Sequence, residues 1–156
     1  METFKDVEQY WKKKEQELGE PILRKSISHT YLQELPDTFG ILFASAKTLV
    51  YEYSKGGRRS ILDVVLSRKT DDELSDTVRI PRDEIQKVAL VDAFAAKQWV
   101  RRALSPAAVL TELEGRTPSV LRSLFFGTHL VVCSRRAFVV CDTPENRKWL
   151  EFLEEH

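Results

Sequence analysis

The chain has 156 residues, 42% hydrophobic and 10% aromatic, the size of one ordinary domain with enough apolar side chain to bury a core without staples. Its 24 Lys and Arg balance 24 Asp and Glu, so no long-range field points to nucleic acid or an acidic membrane surface, and any charge-driven binding must be local. Residues 1–19 lack the apolar stretch of a signal peptide and nowhere do 18 apolar residues run uninterrupted, so a soluble intracellular protein is expected, cytoplasmic or peripheral to a membrane.

Thr3 is placed to cap a helix over residues 1–19, with Phe4, Val7, Trp11 and Leu18 at helical spacing and Gly19 and Pro21 to end it. The stripe fits a helix docked on its own domain, with a partner-binding or dimerising helix as the alternative. Lys12, Lys13 and Lys14 read as a solvated face. From residue 22 to 91 the pattern changes to strands: 22–34, 38–44, 48–53, 60–68, 77–80 and 85–91. Alternation is clearest where Leu49, Tyr51 and Tyr53 interleave with Val50 and Glu52, which gives one face to a core and the other partly to water. Leu35-Pro36-Asp37, Ser45-Ala46-Lys47 and Lys55-Gly56-Gly57-Arg58 are turns of hairpin length, so the sheet is expected to be mostly antiparallel. The acidic stretch 70–76 reads as an exposed loop.

Residues 92–127 turn helical. Asp92 is placed to cap a helix with Ala96, Trp99, Val100 and Ala103 on one side and Lys97, Arg101 and Arg102 towards the other. Ser105-Pro106 to Gly115 and Thr117-Pro118 to Gly127 each repeat a cap residue, a proline at the first helical position and a glycine terminator, predicting two further short helices. In the second, Val120, Leu121, Leu124, Phe125 and Phe126 fit a buried strand equally well.

Two short apolar runs, 130–133 and 137–140, joined by Ser134-Arg135-Arg136, make a final hairpin. If Arg135-Arg136 is a two-residue turn, Cys133 pairs with Phe138 and Cys141 with Leu130, and the thiols fall on opposite faces, where no disulfide forms. A loop shifted by one residue restores a common face but leaves the cysteines about four residues apart, beyond disulfide reach. Both are expected to be reduced and structural. Thr143-Pro144 then starts a closing helix whose Trp149, Leu150, Phe152 and Leu153 could cover one mouth of a curved sheet.

This arrangement resembles a pleckstrin-homology-like domain, the superfamily that includes GRAM and bacterial PH-like modules. The likeness rests on seven possible strands before one C-terminal helix, on Arg79-Ile80-Pro81-Arg82-Asp83-Glu84-Ile85-Gln86-Lys87-Val88, similar to that superfamily's Ile-Pro-x-x-x-Ile-x-x-Val strand entry, and on Arg136-Ala137-Phe138 with Trp149. It spans about 22–91 and 128–155. The resemblance implies an α+β fold: a seven-stranded antiparallel, strongly bent sheet or partly open barrel closed by the C-terminal helix. Residues 1–19 are an added helix and 92–127 a helical insertion before the last hairpin, within one domain over 1–156. It also implies that the loops 35–37, 55–59 and 135–136 share one open end. That would gather Lys55, Arg58, Arg59, Arg135 and Arg136 as a ligand-binding set, with Gly56-Gly57 backbone able to approach an anion and arginine forks suited to phosphate or carboxylate. Phosphoinositide-binding members place a basic motif along the first two strands, whereas the corresponding loop here offers Glu34 and Asp37.

Catalytic signatures are missing: no Gly-x-Gly-x-x-Gly, Walker A loop, Gly-x-Ser-x-Gly elbow or His-Glu-x-x-His. His29, His129 and His156 share no metal-ligand spacing and read as satisfied or exposed histidines. A calcium loop beginning at Asp71 would need glycine where Asp76 stands and glutamate where Arg82 stands. No catalytic residue, metal or cofactor is therefore nominated, and basic doublets scattered among acids give no nucleic-acid face. Three functions follow in order. The first is a noncatalytic PH-like interaction module contacting a protein partner, or a second copy, through the insertion or a sheet edge, with Trp99, Phe125 and Phe126 as contact residues. Next comes a peripheral binder of anionic lipid headgroups or phospho-ligands through the basic loop ends. The third is a small-molecule carrier or enzyme of unknown reaction, whose pocket inside a curved sheet Trp149 and the core aromatics would fill.

Overall fold

A computed structural model of the chain describes residues 2–32, 38–54, 75–115 and 120–155. In chain order these form α1 (Glu2–Leu18), β1 (Arg24–Tyr31), β2 (Thr38–Ala44), β3 (Thr48–Ser54), β4 (Ser75–Pro81), a 3-10 turn (Arg82–Glu84), β5 (Ile85–Asp92), α2 (Ala93–Arg101), α3 (Pro106–Gly115), α4 (Val120–Phe126), β6 (Thr128–Ser134), β7 (Phe138–Asp142) and α5 (Asn146–Glu155). The fold is α+β, a seven-stranded antiparallel sheet in the order β4-β3-β2-β1-β7-β6-β5. The expected strongly bent sheet or partly open barrel is corrected: the sheet is neither closed nor strongly curled, and among the described residues its linear order ends on β4 and β5 without pairing them. The strand anticipated at 60–68 lies outside the described residues.

The chain divides into two compact units, the first made of Met1–Ile27 and Phe39–Arg82, the second of Ser28–Thr38 and Asp83–His156. In the first, β2 pairs with β3 from Gly40 opposite Tyr53 to Ala44 opposite Leu49, and β3 pairs with β4 from Thr48 opposite Pro81 to Ser54 opposite Ser75. The Ser45-Ala46-Lys47 turn closes with Ser45 N–H donating to the Thr48 carbonyl at 2.9 Å, and buried Arg82 pins it by donating from Nη1 to the Ser45 carbonyl at 3.1 Å. Gly40 has a steric reason: a Cβ there would run into the Glu52 carbonyl on the paired strand.

Helix α1 ends where Gly19 takes φ +74°, its N–H donating to the Glu15 carbonyl at 2.9 Å. Its Tyr10, Trp11 and Leu18 pack with Ile22 on Ile41, Phe43 and Val50, and the Trp11 ring meets Phe43 edge-on at 5.5 Å. This changes the reading of β3. Val50 and Glu52 share a sheet face with Phe43 and Ile41, so the side expected to be partly wet is the one packed under α1, and Val50 and Glu52 are as buried as Leu49, Tyr51 and Tyr53. Lys14, read as part of a solvated lysine run, is likewise corrected: its Nζ lies 2.7 Å from Glu52 Oε2, while Lys12 and Lys13 stay exposed.

In the second unit the hairpin register is as its sequence implied, with Cys133 opposite Phe138 and Leu130 opposite Cys141. Ser134 N–H donates to the Ala137 carbonyl at 2.8 Å around Arg135-Arg136. Both cysteines are free and buried; burial pushes the Cys141 thiol up to about 11, against the lowering by the Thr30 and Ser28 hydroxyls. On one face of the sheet Val91, Val131, Cys133, Phe138 and Val140 pack on Ala96, Trp99 and Val100 of α2 and on Val109 and Leu113 of α3. Asp92 caps α2, its Oδ1 accepting from Ala95 N–H at 2.9 Å, and Ser105 caps α3, its Oγ accepting from Ala108 N–H at 3.1 Å. The alternating residues Leu130, Val132, Val139 and Cys141 point to the other face and are buried there. Helix α5 packs on β5 and β6 with Trp149 fully buried, so it covers a sheet face rather than plugging the mouth of a curved sheet.

Candidate functional site

Helix α4 leaves four large apolar side chains in solvent. The segment that read equally as helix or buried strand is helical, and Leu121, Leu124, Phe125 and Phe126 are 68%, 77%, 79% and 56% exposed. Seven residues carrying four large apolar side chains outward make an unusually apolar patch of surface. Next to it, α2 turns Phe94 outward, with its ring 5.5 Å from that of Phe126. Between the two helices lies a cavity of about 220 Å³ lined by Ala93, Phe94, Lys97, Gln98, Arg101 and Phe126.

The lining follows from helix geometry. Positions 93, 94, 97, 98 and 101 recur at helical spacing along one side of α2, while Ala95, Ala96, Trp99 and Val100 fill the core on the opposite side. Of the three contact residues nominated from sequence, Phe125 and Phe126 are therefore on the surface, but Trp99, 5% exposed, belongs to the core. Phe94 was missed, although its place on the same stripe as Lys97 and Arg101 is a sequence signal: an aromatic among charges on the polar side of an amphipathic helix. The basic set is reached only in part. Lys55, Arg58 and Arg59 lie outside the described residues; Arg135 and Arg136 form the exposed turn, where Arg136 Nη2 stands 3.7 Å from Glu84 Oε1 and Arg135 N–H donates to the Glu84 carbonyl at 3.2 Å.

A second group of polar residues is assembled by strand pairing, from positions remote in sequence. Register sets His29 of β1 opposite Asp142 of β7, and His129 of β6 lies beside Asp142 with Nδ1 3.6 Å from Oδ1. Tyr31 stacks on His129 with ring centres 5.5 Å apart and also meets His29 at 4.9 Å, while Lys97 Nζ sits 5.1 Å from the Tyr31 ring centre. Asn146 at the start of α5 donates to Asp142 Oδ1 at 3.2 Å and to the Thr128 carbonyl at 3.1 Å. His129 Nε2 is buried and has no hydrogen-bond partner among the described residues. Among the described residues no group of three or more His, Cys, Asp or Glu side chains is disposed to hold a metal ion.

Burial holds the His129 imidazole below its usual pKa; Asp142 and the Thr128 carbonyl pull the other way, and the Lys97 and His29 charges reinforce the lowering. An unfolded chain takes up this proton first as pH falls below about 6.5, so the native state keeps its full advantage above that pH and loses it downward through the lower folded-state value. Thermal melts at pH 7.5 and 5.5 are expected to differ by a few degrees, at about 2–4 °C per kcal/mol for a chain of this size. His129→Gln should shrink that difference, and an undiminished difference in the variant would assign the pH dependence to other groups.

No family model matches the chain, and no curated protein matches it. Among solved structures it is similar to the C-terminal domain of an unknown protein from Leishmania infantum, with 10% sequence identity, a TM-score of 0.49, and coverage of 96% of this chain and 95% of that one. No helix among the described residues is long and apolar enough to cross a membrane.

Proposed function

We propose that this chain is a noncatalytic, PH-like interaction module that contacts a protein partner through the surface of α4 and the adjoining side of α2. One observation carries the reading: Leu121, Leu124, Phe125 and Phe126 stand outward together on a helix inserted between β5 and β6. Apolar side chains grouped in this way mark contact surfaces more often than they decorate a free one. The PH-like assignment is supported by the strand order, in which β1 pairs with the last strand β7, and by the closing helix α5 with its buried Trp149. The α2–α4 cavity, about 220 Å³, is smaller than the roughly 300–1,000 Å³ of small-molecule sites, which favours a protein contact over a carrier or an enzyme pocket there.

A photo-crosslinking side chain placed at Leu124 in cells is expected to give a discrete adduct with a different protein, and one placed at exposed Glu154 on α5 is expected to give none. Adducts from Leu124 no stronger than those from Glu154 would overturn the reading. An adduct of twice the chain mass would replace the heterologous partner with self-association.

A further inference from the structure

We infer that the α2–α4 surface takes an acidic, apolar peptide segment of its partner, which seats one apolar side chain between Phe94 and Phe126 and sets its carboxylates along Lys97, Arg101 and Arg102. The inference deepens the interaction-module reading and rests on it. Two independent features of the surface carry it, its size and its charge.

The cavity's 220 Å³ is on the scale of one large side chain, as in the pockets that hold the buried anchors of protein interfaces. Its walls are unequal. Phe94 and Phe126 close the end nearest the start of α2, and Lys97 and Arg101, one helical turn apart, continue the same side towards Arg102 at its C-terminal cap. Among the described residues no carboxylate lies within ion-pair distance of Lys97, Arg101 or Arg102, whereas Lys14, Arg136 and Lys148 each have a Glu within 4.0 Å. The surface thus carries positive charge with no carboxylate partner among the described residues, on a chain whose net charge is zero. A partner that fills the apolar end and neutralises the basic end satisfies both at once, and amphipathic segments with apolar residues at helical spacing and acids beside them have that form.

The test uses a synthetic peptide of about 15 residues with Leu and Phe on one helical face and Glu on the other, beside matched peptides with Gln or Lys in place of Glu. The Glu peptide is expected to bind, more weakly as salt rises, and roughly tenfold more weakly to a chain carrying Lys97→Glu and Arg101→Glu. Because Lys97 also lies over Tyr31, a second variant, Arg101→Glu with Arg102→Glu, reverses exposed charge alone and should weaken the Glu peptide and admit the Lys peptide. Phe126→Ser should abolish binding of both. Equal binding of the Gln and Glu peptides, indifferent to charge reversal, would overturn the acidic specificity. So would binding to anionic phosphatidylserine vesicles with no binding to any peptide, or no binding at all. A Leu124 adduct that survives such a failure leaves the module reading standing, and the two are thereby told apart.

Discussion

Trp149→Ala is expected to lower the stability of the chain by roughly 3–5 kcal/mol. The indole is fully buried in α5, and the helix has few other apolar side chains committed as deeply: Leu153 is also buried, while Leu150 and Phe152 are only partly so. Phe152 meets the indole edge-on with ring centres 5.9 Å apart, so removing Trp149 empties one site and strips a second ring of its packing partner. The helix packs on β5 and β6, where Leu130 and Val132 of β6 are 0% exposed. Phe152→Ala should cost clearly less, because part of that ring is already in water. Urea melts of both variants give the comparison. A Trp149→Ala melt matching the wild type would mean that α5 does not complete the core.

The second large effect is expected at Lys14. Its ammonium lies 2.7 Å from Glu52 Oε2 and 3.4 Å from Glu17 Oε2, and the Glu52 side chain is only 3% exposed. Burial alone would lower the lysine's pKa, but the hydrogen bonds and charges of Glu52 and Glu17 overrule it and the net shift is upward. The sign is that of a cation gaining partners: the stabilisation is present below the unfolded value near 10.4 and is lost as pH rises through the folded one. Lys14→Met leaves the Glu52 carboxylate buried under α1 without its ammonium partner and should cost about 3–5 kcal/mol. Adding Glu52→Leu removes the orphaned charge and should restore most of the loss, because an apolar pair of similar volume commonly serves as well as a buried ion pair. The four melts make a double-mutant cycle. Strictly additive losses would show that the pair is not coupled.

How much of this was legible depended on sequence distance. The last hairpin was readable to the residue, since alternation and a two-residue turn at Arg135-Arg136 leave few registers for strands joined so closely. Asp92, Ser105 and Pro106 announced their helices because capping is a local hydrogen bond. Val120, Leu121, Leu124, Phe125 and Phe126 did not announce theirs, because a short apolar run satisfies helix and strand periods alike. Lys14 was misread for a related reason. Three consecutive lysines look alike, and only the angle at which α1 sits over β3 decides which of them meets Glu52.

Composition and local pattern by themselves determined an α+β chain with an antiparallel sheet, added helices before and within it, reduced cysteines and a closing helix led by Trp149. Those properties follow from interactions between residues close in sequence, whose geometry periodicity and turn chemistry specify. Tertiary structure alone decided that the sheet stays open, that His29, Asp142 and His129 meet across three strands, and that α4 faces outward beside Phe94, Lys97 and Arg101. Each of these depends on pairing between distant segments or on the rotation of a helix about its axis, and nothing in a residue's neighbours along the chain states either.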